Sequence, residues 1–195
     1  MRKALSLLMW VPFLLLFGIA EATAETGDEE LRLQLIFGPR VGISYIMANP
    51  DDFNDSVQEV FPDKNRKYFP VFTQFGINLE QRIRLGGTRS HFAFQEVLLI
   101  GGLDQNIVLP ALNLLIGFRS HAGLEFGLGP NITMSRATEG PGVTVSVVYA
   151  VGWTFAFKNV FVPVDLCIVP TPSDGHPRLT LLTGFNFEVK WKRRP

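Results

Sequence analysis

The sequence predicts an all-β fold, an eight-stranded antiparallel up-and-down β-barrel of the transmembrane type, following a cleaved signal peptide. Three observations predict it. Strand-like segments with period-2 alternation recur along the chain, each with a large apolar face and a small or polar face. From Phe92 to Pro170 only 8 of 79 residues are charged, well under the roughly 25% of ordinary soluble domains, so a watery exterior is hard to supply. The N-terminus has the parts of an export signal.

That signal comes first in the chain. Arg2 and Lys3 form a basic start, residues 5–20 are an apolar run containing Pro12, and Ala22-Thr23-Ala24 is a small-x-small cleavage site before Glu25. A membrane-spanning helix needs about 20 apolar residues, more than this run provides, and the later chain has no run of 18. The expected organisation is a signal peptide over 1–24 and a single barrel domain over 25–195. Removing residues 1–24 leaves 16 basic and 17 acidic side chains, which gives no basic stripe for a nucleic-acid partner. The single cysteine, Cys167, excludes an internal disulfide framework and fits no metal or redox motif. No cofactor or metal is expected.

Eight segments follow, separated by clusters of Gly, Pro, Asn, Asp and Ser. The first (35–47) sets Val41, Ile43 and Tyr45 against Arg40, Gly42 and Ser44. A long acidic connection (48–68) comes next, with room for a short helical turn over 51–60. The second (69–84) opposes Val71, Thr73, Phe75, Ile77 and Leu79 to Gln74, Gly76, Asn78, Glu80 and Arg82. The third (92–101) does not divide cleanly over Phe92-Ala93-Phe94-Gln95-Glu96-Val97-Leu98-Leu99, which leaves a bulge or another register open there. The fourth (107–119) carries Pro110. The fifth (123–133) opposes Leu124, Phe126, Leu128 and Ile132 to Gly123, Glu125, Gly127, Gly129 and Asn131. The sixth (143–157) places Val143, Val145, Val147, Tyr149, Val151, Trp153, Phe155 and Phe157 on one side. The seventh (160–169) carries Pro163, and each of these prolines removes a ladder donor, which suits an edge better than a closed ring. The eighth (178–191) aligns Leu179, Leu181, Thr183, Phe185, Phe187, Val189 and Trp191.

The connections after segments two, four and six are short and the others mostly longer, the pattern of periplasmic turns and outer loops. Aromatic residues gather near both expected rims: Phe92, Phe94, Phe118, Trp153, Phe155, Phe157, Phe161 and Trp191 at the periplasmic one, Tyr45, Tyr68 and Phe69 at the other. An eight-stranded barrel is just wide enough to be filled by side chains. The small and polar faces therefore turn inward and the large apolar faces meet lipid.

The pattern resembles the small eight-stranded outer-membrane β-barrels of Gram-negative-type bacteria, the OmpA- and OmpX-like proteins, over nearly the whole mature chain. Its most specific piece is Leu182-Thr183-Gly184-Phe185-Asn186-Phe187-Glu188-Val189, which looks like the C-terminal assembly signal of such barrels. Trp191 stands where they end on an aromatic residue, but Lys192-Arg193-Arg194-Pro195 follows it here. The resemblance implies residence in the cell outer membrane, with the lipid bilayer and the barrel-assembly machinery as partners.

Two groups of residues are candidate sites. The inward faces bring together Arg40, Glu80, Arg82, Arg119, Glu125, Asp165 and Glu188, charges that must pair in a narrow lumen because an isolated buried charge is very costly. They form either a gate or, as the favoured reading, a plug of salt bridges. Within the acidic connection, Asp51, Asp52, Phe53, Val57 and Phe61 are the candidate outer-loop contact surface for an unidentified ligand. The expected role is non-catalytic: structural, adhesive or interacting at the surface. One alternative is a soluble periplasmic lipocalin-like barrel that turns its large apolar face inward around an apolar ligand. A second is a lipid-modifying hydrolase using Ser173 and His176, although a polar turn explains that pair equally well.

Overall fold

Alternation along the chain becomes the two faces of one closed sheet. The computed structural model describes residues 33–61, 66–84, 88–137, 140–158, 160–170 and 176–189. The expected signal segment, Ser173, Trp191 and the basic tail lie outside the described residues. The strands are β1 (Leu33–Ile46), β2 (Val71–Arg84), β3 (His91–Gly101), β4 (Leu109–Arg119), β5 (Leu124–Ala137), β6 (Gly140–Phe157), β7 (Val160–Val169), β8 (Arg178–Gly184) and β9 (Asn186–Val189). From β1 to β8 each strand pairs antiparallel with the next in sequence, β9 pairs with β7, and β1 closes the ring by pairing with β2 on one side and with β8 and β9 on the other.

β8 and β9 are one stave. Arg40↔Gly184 and Phe37↔Phe187 belong to the same register, so the chain merely skips a rung at Phe185. Two prolines explain the skip. Pro39 of β1 stands opposite Phe185 on one side, and Pro163 of β7 stands opposite Gly184 on the other, and neither has an N–H to give. The nearby Thr183 hydroxyl donates to the Pro163 carbonyl at 2.9 Å. The ring thus accommodates Pro163 by opening the ladder locally, and Pro110 at the second position of β4, opposite Ile100, where the sequence suggested that both needed an edge.

β3 resolves into a single register. Its pairing with β2 runs unbroken from Arg84↔His91 to Gln74↔Gly101, with no bulge. Ala93, Gln95, Val97 and Leu99 are buried inside, while Phe92, Phe94, Leu98 and Ile100 face out. By that parity Glu96 points outward, beside Leu79 of β2 and Leu114 of β4.

The outward face is an apolar belt. In β6, Val143, Val145 and Val147 are 57%, 62% and 48% exposed, and Ile116 of β4 is 59% exposed. Leu128, Leu166, Ile168 and Leu181 continue the belt around the ring. The soluble lipocalin-like alternative requires these side chains inside, and they are outside. Phe92 and Phe118 meet edge-to-face on the exterior, ring centroids 6.4 Å apart. Two members of the expected girdles turn elsewhere: Phe161 faces the lumen under Arg82, and Tyr68 is buried beneath a loop helix.

The barrel end where β1 begins and β9 finishes is called the inner end here, and the opposite end the outer. The lumen has two zones. Its outer half is packed with Val97, Leu99, Ala111, Leu115, Val148, Cys167, Val169 and Leu182. Amides and hydroxyls lie among them: Asn131 donates to Asn113 at 2.5 Å, and the Ser44 and Thr180 hydroxyls are 2.5 Å apart. The void left between these side chains is about 10 Å³, roughly the space of one water. The inner half is charged.

Candidate functional site

Arg119, the last residue of β4, organises the inner half of the lumen. Its Nε donates to Glu80 Oε1 at 2.9 Å, its Nη1 to Glu125 Oε2 at 2.6 Å, and its Nη2 to Gln95 Oε1 at 3.1 Å. Arg82 donates to the same Glu80 oxygen through Nε at 2.7 Å. Glu125 also accepts from the Thr154 hydroxyl. The strand register puts these groups within reach: Arg119 pairs with Glu125, Glu125 with Gly152, and Gly152 with Asp165.

Gly152 is a glycine for a steric reason. A Cβ there would lie 2.0 Å from Asp165 Oδ1 and 2.6 Å from the Val164 carbonyl. The Asp165 carboxylate therefore lies across the bare backbone of β6 towards Glu125. Arg40 of β1, across the β8–β9 stave from β7, donates through Nη1 to Asn186 Oδ1 at 2.8 Å and to the Pro39 carbonyl at 3.2 Å.

All six of these ionisable residues, Arg40, Glu80, Arg82, Arg119, Glu125 and Asp165, are buried. Three cations face three anions, so the group is formally self-neutralising. In a low-dielectric lumen such charges survive by pairing and hydrogen bonding. Glu188, the seventh candidate, does not join them. It sits near the end of β9 opposite Ile36 and is exposed. Sequence reasoning missed the neutral partners Gln95, Thr154 and Asn186. Their inward parity was the available signal, but the strand register decides which charge each one meets.

The outer end is built around α1 (Pro50–Val60), a regular helix where the sequence suggested only a short turn. Asn49 caps it by accepting from the Asp51 N–H at 3.2 Å, Pro50 occupies its first turn, and Asp51 and Asp52 favour its positive N-terminus. Its apolar residues recur at i, i+4 and i+8. Phe53 is buried with Ala48, Tyr68 and Ile107, and Val57 and Phe61 pack against that cluster. The apolar part of the expected contact surface is thus spent on holding the helix down, because an amphipathic helix turns its apolar stripe to the protein. Asp51, Asp52, Asp55 and Glu59 stay exposed on its other side.

A 3-10 turn, Leu103–Gln105, fastens this assembly to the barrel rim. Gln105 accepts from the Phe69 N–H at 2.8 Å and donates to the Phe69 and Val71 carbonyls at 3.0 and 2.7 Å. Asp104 accepts from the Thr73 N–H and hydroxyl at 3.1 and 2.9 Å. His176 lies at this end, half-buried before β8. Its suggested partner Ser173 is outside the described residues. His91 and His121 lie together at the inner end, at the start of β3 and in the turn after β4.

No protein-family model matches the chain, and no curated protein matches it in sequence. Among solved structures it is similar to Ail, the attachment invasion locus protein of Yersinia pestis, at 12% identity and a TM-score of 0.49, over 83% of this chain and 100% of that one. A second structure of Ail, in complex with the heparin analogue sucrose octasulfate, matches at 14% identity and a TM-score of 0.47, with the same coverage of both chains. Neisserial surface protein A matches at 10% identity and a TM-score of 0.43, over 80% of this chain and 97% of that one.

Proposed function

We propose that this protein is an outer-membrane β-barrel with a non-catalytic role at the cell surface, structural, adhesive or interacting through its outer end. It is exported by a signal peptide removed after Ala24 and inserted by the barrel-assembly machinery. The observation that carries this reading is the inversion of its two faces. Large apolar side chains cover the exterior of the strands, while the arginines, carboxylates and amides of the strands are buried in the interior, beside an apolar cluster in its outer half. In water that exterior would be a continuous apolar surface, and soluble monomers rarely expose apolar patches beyond a few hundred Å². In a bilayer it meets its natural solvent, and ring closure leaves no strand edge to be satisfied there.

A plugged lumen follows from the same packing. Apolar side chains fill its outer half and a self-neutralising charge cluster its inner half, so the barrel acts as a scaffold rather than a conduit. Its outer end offers the acidic face of α1, with Asp51, Asp52, Asp55 and Glu59, as the contact surface. Carbonate extraction of envelope fractions tests the reading: the protein is expected to stay with the outer membrane, and its release into the soluble fraction would overturn the proposal.

A further inference from the structure

At the inner end the barrel opens into a recess of about 430 Å³. One wall is basic: Arg82 from the end of β2, Arg89 from the following turn, His91 from β3 and His121 from the turn after β4. Two aromatic residues complete the lining: Phe161 of β7, which faces the lumen beneath Arg82, and Trp153, on the outward face of β6, whose indole lies at the mouth beside Gly123. Among the described lining residues Glu125 is the one carboxylate, and both of its oxygens are already engaged, by Arg119 and by Thr154. Among the described lining residues, Arg89, His91 and His121 therefore face no carboxylate that is not already engaged.

Arg82 is only partly satisfied. It is 7% exposed, its Nε is bound to Glu80, and its guanidinium carbon lies 5.3 Å from the centroid of the Phe161 ring, yet its buried Nη2 has no hydrogen-bond partner. A buried N–H left without an acceptor is costly and needs a reason. Arg89 is exposed and forms no ion pair among the described residues. A recess with low-dielectric walls concentrates the field of such cations on whatever enters it.

We propose that this recess is a binding site for a phosphate group carried on an apolar body. Arg82 and Arg89 receive the phosphate oxygens, because the planar guanidinium fork matches phosphate geometry. His91 and His121 flank the anion, and Trp153 and Phe161 take the apolar part. The same chemistry is presented by the headgroup of a phospholipid in the adjacent leaflet and by a soluble phosphate ester. The site lies at the opposite end of the barrel from α1 and does not depend on what the outer surface binds.

Titration calorimetry on the full chain folded in a phosphate-free maltoside detergent tests the proposal, with a short-chain phosphatidic acid and inorganic phosphate as separate probes. Binding of the phosphatidic acid alone identifies a lipid headgroup site, and comparable binding of inorganic phosphate identifies a site for free phosphate. Both results support the shared chemistry, provided that the variant below weakens the binding. The double variant Arg89→Ala with His121→Ala removes two groups outside the lumen cluster, so it is expected to fold normally by circular dichroism and to bind about tenfold or more weakly. Arg82→Lys, which keeps the charge but loses the fork, is expected to weaken binding in the same direction. The proposal is overturned if neither probe binds, or if the folded double variant binds as tightly as the parent.

Discussion

The two halves of the lumen are built by the same staves and held together by different physics. In the outer half, Val97, Leu99, Leu115, Val148 and Leu182 interdigitate as they would in any apolar core, and no contact depends on one particular partner. In the inner half, Arg119 holds two carboxylates at once and Glu80 serves two arginines. Dispersion and burial are spread over many contacts, and losing one group leaves a cavity. Buried charge is concentrated, and losing one group leaves the others unpaired. The inner half is therefore the part of the barrel least tolerant of single changes, although swapping a whole buried ion cluster for apolar groups is often neutral.

Single substitutions test that contrast. The largest effect is expected from Arg119→Ala, which takes the bound arginine from Glu125 and one of two arginines from Glu80, with a loss of about 3–5 kcal/mol in urea unfolding from lipid vesicles. A loss under about 1 kcal/mol would remove the distinction between the halves. Leu115→Ala in the outer half is expected to cost about 2–4 kcal/mol. Its effect should add to that of distant apolar changes, whereas Arg119→Ala combined with Glu80→Gln should cost clearly less than the sum of the two.

Gly152→Ala probes the junction of strand and charge. Its methyl must displace the Asp165 carboxylate, which lies 2.0 Å from the would-be Cβ, at a cost of about 1–3 kcal/mol. Adding Asp165→Ala should relieve part of that strain. The smallest effect concerns the outer face and has the opposite sign. Glu96 is the single carboxylate facing outward from the middle of a strand among the described residues, with Leu79 and Leu114 beside it. Glu96→Leu is expected to stabilise the barrel by about 1 kcal/mol in bilayers, since a carboxylate costs less there than a basic group. Destabilisation on the same assay would mean that Glu96 has a partner.

The face logic of the barrel was legible because a period of two needs only local sequence. Val143 to Phe157 points the same way in the fold as in the pattern, and the eight segments correspond to the eight staves, two of whose pieces are β8 and β9. What depended on register was not legible. Gln95 and Glu96 are adjacent polar residues, and only pairing with β2 and β4 decides that the first faces in and the second out. Pro163 looked like an edge signal because nothing local reveals that it and Pro39 flank one skipped rung from opposite sides.

The candidate site divides the same way. The inward parity of Arg40, Glu80, Arg82, Arg119, Glu125 and Asp165 could be read from alternation, but their partners come from other staves: Arg119 reaches back 39 residues to Glu80. Glu188 shares that parity yet sits near the strand end, where parity no longer implies enclosure. The helix at the outer end was partly visible, since Phe53, Val57 and Phe61 recur at helical spacing. That spacing is also why they turn away from solvent. Phe161 was misplaced because a pattern of aromatics near a rim does not record which side of the wall each ring occupies.

The central claim is that lipid surrounds the belt formed by Val143, Val145 and Val147. Depth-dependent fluorescence quenching measures this directly, using a fluorophore on Val147→Cys in a Cys167→Ala background, with Asp55→Cys on the exposed side of α1 as the reference. With the folded protein in vesicles carrying nitroxide near the bilayer centre, the label at position 147 is expected to be strongly quenched and the label at 55 spared. A label at 147 that is quenched no more than the one at 55, and whose cysteine reacts freely with a water-soluble thiol reagent, would contradict the account.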